Sequence, residues 1–238
     1  MPRVPARAPP PGRTMSVTPL TPAPVFRGRI GRDPRSGHYA VPRRYRLHLS
    51  PGHDACLGIA VVHALLGLDE ICPVTFLDPV PDCPDGGHSA LRPLYEASAH
   101  HYRGPAVAPV LSDSWSGRIV STHARDITRD LARCFPSAAG PQLYPCGAEG
   151  ETEAVEELCA RSADPQALPE VLDVLERRLR AHSHVLGDRL TAADVEVWVA
   201  LVRHDTPQRA AAHPALWSHV RRLSAHPAFG RHLPGRPA

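Results

Sequence analysis

Tyr45-Arg46-Leu47-His48-Leu49-Ser50-Pro51-Gly52-His53-Asp54-Ala55-Cys56 is the stretch that decides the fold. Tyr45, Leu47 and Leu49 alternate with polar neighbours, as a strand with one buried face requires. Pro51 and Gly52 turn the chain. Ile59, Val62, Leu65 and Leu66 then recur at helical spacing and stop at Gly67, a candidate C-cap. Where a strand meets a helix N-terminus at such a turn, unpaired amides and the helix dipole stabilise a thiolate at the first of four residues. Here the first position is His53, and only the fourth, Cys56, carries sulfur.

Working outward, Cys72 to Leu77 reads as a second strand and ends in a Pro/Asp/Gly loop through Gly87. Strand, helix, strand is the opening of an α/β domain. Leu91 to Tyr102 is weakly helical. Ala106 to Leu111 and Gly117 to Ser121 form two short strands about the turn Asp113-Ser114-Trp115-Ser116, and Thr122 is the expected cap of a helix carrying Ile127, Leu131 and Phe135. Everything after Gly150 reads as helical. Val155, Leu158 and Cys159 mark one helix, and Val171, Leu172, Leu175 and Leu179 a longer one. Thr191-Ala192-Ala193-Asp194 starts a third as a capping-box-like signal in which the Thr191 hydroxyl accepts a first-turn amide. Pro214 opens a last helix with Leu216, Trp217, Val220 and Leu223. The expected organisation is a Pro/Arg-rich disordered tail and lead-in at 1–42, a thioredoxin-like α/β domain at 43–135, a linker at 136–150 and an all-α domain at 151–233.

A net charge of +3 gives no pull toward nucleic acid or an anionic membrane. All 27 basic residues are Arg, a bias better attributed to coding composition than to phosphate recognition. Met1 to Pro24 has no continuous apolar run, so it reads as neither signal peptide nor membrane span, and Met15 is a second candidate start. The six cysteines follow no repeated spacing, and with no export signal the expectation is reduced thiols in a cytoplasmic protein.

Leu94-Tyr95, Tyr102-x-Gly104, Ala108-Pro109-Val110-Leu111-x-Asp113 and Gly117-x-Ile119-Val120 together resemble the pattern of the glutathionyl-hydroquinone reductases, the Xi-class glutathione transferases. The resemblance resumes at Leu186-Gly187-Asp188-Arg189-Leu190-Thr191-x-Ala193-Asp194 and at Leu201-Val202-Arg203-x-Asp205, covering Tyr45 to Phe229. It implies a thioredoxin-like domain that holds glutathione and a glutathione-transferase-like helical domain that helps hold a quinone-derived substrate. In that family a Cys opening a Cys-Pro-Trp tetrad takes glutathione from a glutathionyl-hydroquinone, and a second glutathione releases it. The corresponding residues are His53, Asp54 and Ala55. A Glu-Ser pair that binds the γ-glutamyl end corresponds to His123 and Ala124, a downstream Tyr to Gln208, and the cis-proline element to Ala108-Pro109.

The expected thiol-binding residues are therefore Ala108, Pro109, His123 and Ala124, and the catalytic candidates Cys56 and His53. Cys56, on the first helical turn beside His53, can act as a lowered-pKa nucleophile, or it is a small core residue, since the fourth position usually faces inward. His53 can serve as acid, base or ligand, or it is an ordinary surface histidine at a helix start. The two together fall short of a zinc site, so no metal is expected. Arg203 and Asp205 are spaced for helix-end or interdomain bonding rather than for one helical face.

The expected activity is thiol transfer, or reduction of thiol conjugates of quinones or similar aromatic electrophiles, with glutathione or another low-molecular-weight thiol as cosubstrate. The alternative is a non-catalytic relative that binds an apolar ligand or protein partner in the interdomain cleft. Partners are a small-molecule thiol or aromatic conjugate, with no nucleic acid and no membrane, and a homodimer is left open.

Overall fold

A computed structural model describes residues 26–135, 140–204 and 206–233. The tail through Pro24, residues 136–139 of the expected linker, and Asp205 lie outside them. The strands are β1 (Tyr45–Leu49), β2 (Val74–Phe76), β3 (Val110–Asp113) and β4 (Arg118–Ser121), in the order β2-β1-β3-β4. β1 runs parallel to β2 and antiparallel to β3, which is antiparallel to β4. The parallel pair needs a crossover, and α1 (Asp54–Leu66) supplies it. Tyr45, Leu47 and Leu49 are buried, as their alternation demands, and Gly67 ends α1 in the left-handed conformation at φ 64°. α1 is apolar nearly all round because it is enclosed by the sheet, α3 (Ala124–Cys134), α6 (Ala192–Leu201) and α9 (Pro227–Gly230).

Two boundaries differ from the sequence reading. β3 starts at Val110, not Ala106, because the Ala106 carbonyl accepts the His88 backbone N–H at 2.8 Å instead of joining the sheet. The cap of α3 is His123, not Thr122, whose hydroxyl is spent on the Phe26 carbonyl at 3.4 Å. That carbonyl belongs to a lead-in that runs along β4, where the Gly28 N–H donates to Val120 O at 2.8 Å. A Cβ on Gly28 would stand 2.6 Å from Val120 O, so glycine is what permits the approach.

Between the strands lies α2 (Arg92–Ser98); the helical half comprises α4 (Glu149–Arg161), α5 (Leu168–Ala181), α6, α7 (Pro207–Ala212), α8 (Pro214–Ala225) and α9. α4 thus begins just inside the expected linker, and α8 is followed by one more short helix. Trp198 on α6 and Trp217 on α8 are fully buried, with Trp198 Nε1 donating to Ser224 Oγ at 2.9 Å and its ring edge-on to Phe229. Asp194 is buried at the start of α6. Its carboxylate accepts the Thr191 N–H at 2.8 Å and the Thr191 hydroxyl at 3.0 Å, within the capping box expected at this helix start.

Candidate active site

The turn between β1 and α1 is closed by the His53 N–H donating to Ser50 O at 3.1 Å. The neighbouring loop holds it from outside. Ser50 Oγ donates to Asp78 O at 3.1 Å, and a Cβ on Gly52 would meet Pro79 O at 2.4 Å. His53 is the N-cap of α1 in extended conformation, and its imidazole is exposed and caps nothing, which leaves it available to a ligand. Opposite stands the segment before β3, where the Ala108–Pro109 peptide bond is cis. A cavity of about 220 Å³ separates the two, lined by Ser50, His53, Pro79, His88, Val107 and Ala108 among others. Two candidate residues distant in sequence, His53 and Ala108, thus face one space at the positive end of a helix, where a thiolate is favoured.

Cys56 is not in that space. It is 1 % exposed, and burial pushes its thiol up to about 11, only partly offset by a hydrogen bond with the Ser50 backbone. At neutral pH it is a protonated thiol in the core. His123 is engaged elsewhere. Its Nδ1 accepts the Asp126 N–H at 3.4 Å and lies 3.2 Å from Arg27 and 3.1 Å from the Asp126 carboxylate. Burial opposes ionisation of Asp126, yet its bond to Arg27 and the charge of Arg29 hold it below the usual carboxylate range.

Ala124, the next residue, opens onto a second cavity of about 380 Å³ between α1, α3, α4 and α6. Asp54 and Ala55 of the first turn of α1 line it too, so the start of α1 has a cavity on either side. Asp54 is paired with Arg203 at 3.1 Å, which bears out an interdomain role for that arginine. The sequence reading missed two acidic residues in this cleft, Glu156 on α4 and Glu196 on α6. The available signal was Glu156 falling between Val155 and Cys159 on the buried face of its helix. Burial raises both carboxyls, Glu196 to about 7, each with a further push from a nearby acid. Among the described residues, no three His, Cys, Asp or Glu side chains come together as a metal cage.

Residues 156–222 match the glutathione S-transferase C-terminal domain family. The protein is glutathione-transferase-like. Its fold is that of the Xi class: the Xi-class transferase from Natrialba magadii superposes with a TM-score of 0.75 at 21 % identity, over 89 % of this chain and 78 % of that one. In sequence, this glutathione-transferase-like chain is similar to the glutathionyl-hydroquinone reductase PcpF of Sphingobium chlorophenolicum, 26 % identical over 87 % of the chain and 72 % of that protein. It is also similar to the glutathionyl-hydroquinone reductase YqjG of Escherichia coli K12, 24 % identical over 75 % of this chain and 65 % of that protein. The glutathione-bound structure of YqjG superposes with a TM-score of 0.72 at 22 % identity, over 87 % of this chain and 84 % of that one. No helix among the described residues is long and apolar enough to cross a membrane.

Proposed function

We propose that this protein is a cytoplasmic enzyme that reduces thiol conjugates of quinones or similar aromatic electrophiles, using glutathione or another low-molecular-weight thiol. The observation that carries the proposal is His53 at the start of α1 facing Ala108 across a small cavity. That space suits a thiol whose sulfur lies at the helix N-terminus while its peptide-like part meets the backbone before Pro109. The cleft beyond Asp54 and Ala55 suits the aromatic group. Similarity to two proteins named glutathionyl-hydroquinone reductase supports the reaction class.

With Cys56 sealed in the core, the attacking sulfur in this proposal is that of the bound thiol. His53 takes its proton, and the helix N-terminus holds the thiolate. The thiolate forms a bond to the thioether sulfur of the conjugate. The carbon–sulfur bond breaks, its electron pair goes to the ring carbon, and that carbon takes the proton back from His53. The thiols end as a disulfide, and the aromatic ring ends reduced.

Incubation with a glutathionyl-hydroquinone and free glutathione tests the proposal. Disulfide and free hydroquinone should form in equal amounts, at a rate proportional to enzyme. Binding of the conjugate without either product would favour the non-catalytic alternative.

A further inference from the structure

Two imidazoles border the cavity between the α1 turn and the segment before Pro109, those of His53 and His88. His53 is exposed, whereas His88 is only 5 % exposed. Yet the His88 ring makes no hydrogen bond among the described residues, and it caps nothing in the short helical turn Ser89–Leu91 that follows it. Neither ring nitrogen is sealed off, so a ligand in the cavity can reach both. A polar ring so far withdrawn from water and lacking a protein partner is costly unless something else completes it. Its backbone, by contrast, is firmly held. The His88 N–H donates to Ala106 O at 2.8 Å, and a Cβ on Gly87 would stand 2.6 Å from Ala106 N, so this loop lies directly against the segment that leads to Pro109. The Cys83 N–H donates to Gly87 O and the Gly86 N–H to Cys83 O, each at 3.0 Å, and Asp82 accepts the Ser89 N–H at 2.7 Å. These bonds fix the chain on both sides of His88, which leaves the ring positioned in advance for a ligand.

The rest of the lining decides what that ligand group is. The wall carries Pro79, Pro81, Val107 and Ala108 but no arginine and no acid, and the Ser50 hydroxyl is spent on Asp78 O at 3.1 Å. With the sulfur of a bound thiol at His53 and its amide part along the backbone before Pro109, His88 stands at the end of that run, bonded to Ala106. An ionised end arriving there finds its side-chain donor in His88. We propose that His88 binds the terminal carboxylate of the thiol cosubstrate, so that the site selects thiols whose peptide-like part ends in an ionised carboxyl. The inference rests on the reading of this cavity as the thiol site and narrows its cosubstrate class. The bond is charge-assisted and lies where little water competes. His88 sets specificity, and proton transfer stays with His53.

The test compares glutathione with its glycine ethyl ester, which keeps the thiol and loses the terminal charge. Each is titrated calorimetrically into the full chain and used as cosubstrate with a glutathionyl-hydroquinone. Glutathione should show a Kd and a KM about tenfold lower than the ester. His88→Ala should raise both constants about tenfold for glutathione, leave them nearly unchanged for the ester, and leave kcat nearly unchanged. His88→Asn, which keeps a donor, should recover part of the preference. Equal constants for the two thiols in the wild type, or a His88→Ala loss shared equally by both, would overturn the inference. With turnover intact, that result leaves the proposed reaction standing. A preference for glutathione that depends on His88 but comes without turnover would overturn the reaction and keep the inference. Absence of binding by either thiol, together with absence of turnover, would overturn both.

Discussion

Arg203, just after α6, reaches back to Asp54, the first residue of α1, with 3.1 Å between guanidinium and carboxylate. The pair joins the helical half of the molecule to the turn that presents His53. Its members are 42 % and 59 % exposed, so solvent screens the attraction and its contribution to stability is small, about 0–1 kcal/mol. Its value lies in position. Arg203→Ala should leave the denaturation midpoint almost unchanged while lowering kcat/KM for a conjugate severalfold, and Arg203→Lys should restore part of the loss. A large stability change with unaltered kinetics would assign the pair to folding instead.

Glu196 gives the protein a pH-dependent weakness. Its carboxyl is raised to about 7 by burial and by Glu156, so the unfolded chain ionises it at lower pH than the folded chain does. For an acid raised on folding, the cost is absent below the unfolded value near 4.5 and accumulates as pH rises toward 7. Glu196→Gln should therefore be nearly neutral at pH 4.5 and stabilising at pH 8, by on the order of 2 kcal/mol. Urea denaturation of both proteins at the two pH values measures this.

Cys56 should resist modification. Its thiol is buried and pushed up to about 11, whereas Cys146 is exposed. Brief alkylation of the native protein at pH 7.5, a reagent condition of about one unit below an ordinary thiol pKa, should label Cys146 and spare Cys56. Mass-spectrometric site assignment reads the outcome.

Asp194 should be the most sensitive acid in the helical half. It is fully buried and accepts the Val185 N–H at 3.0 Å as well as both Thr191 donors, with His219 Nε2 at 3.1 Å. Burial works against its charge, but His219 and these backbone donors hold its pKa low. Asp194→Ala strands these donors and should cost about 3–5 kcal/mol in unfolding free energy.

Much of the scaffold was legible because its signals are local. The alternation at Tyr45, Leu47 and Leu49, the left-handed Gly67 and the Thr191–Asp194 start of α6 each depend on a few neighbouring residues. Thr122 misled because its hydroxyl is drawn away by Phe26, a residue remote in sequence. His53 and Ala108 were legible as candidates only through the family resemblance, and their shared cavity needed the sheet to assemble. Glu196 went unread for the same reason, looking like an ordinary helical acid until α4 and α6 come together, whereas Glu156 already stood on a buried face between Val155 and Cys159.

In the proposed mechanism His53 does the proton transfer while Cys56 is a core residue. Thiol-dependent reduction of a glutathionyl-hydroquinone should be followed for wild type, His53→Ala and Cys56→Ser, with thermal unfolding recorded for each. His53→Ala should lower kcat by roughly 10²-fold or more in a folded protein, and Cys56→Ser, at some cost in stability, should keep most of the activity. An active His53→Ala, or a folded Cys56→Ser with no turnover, would contradict it.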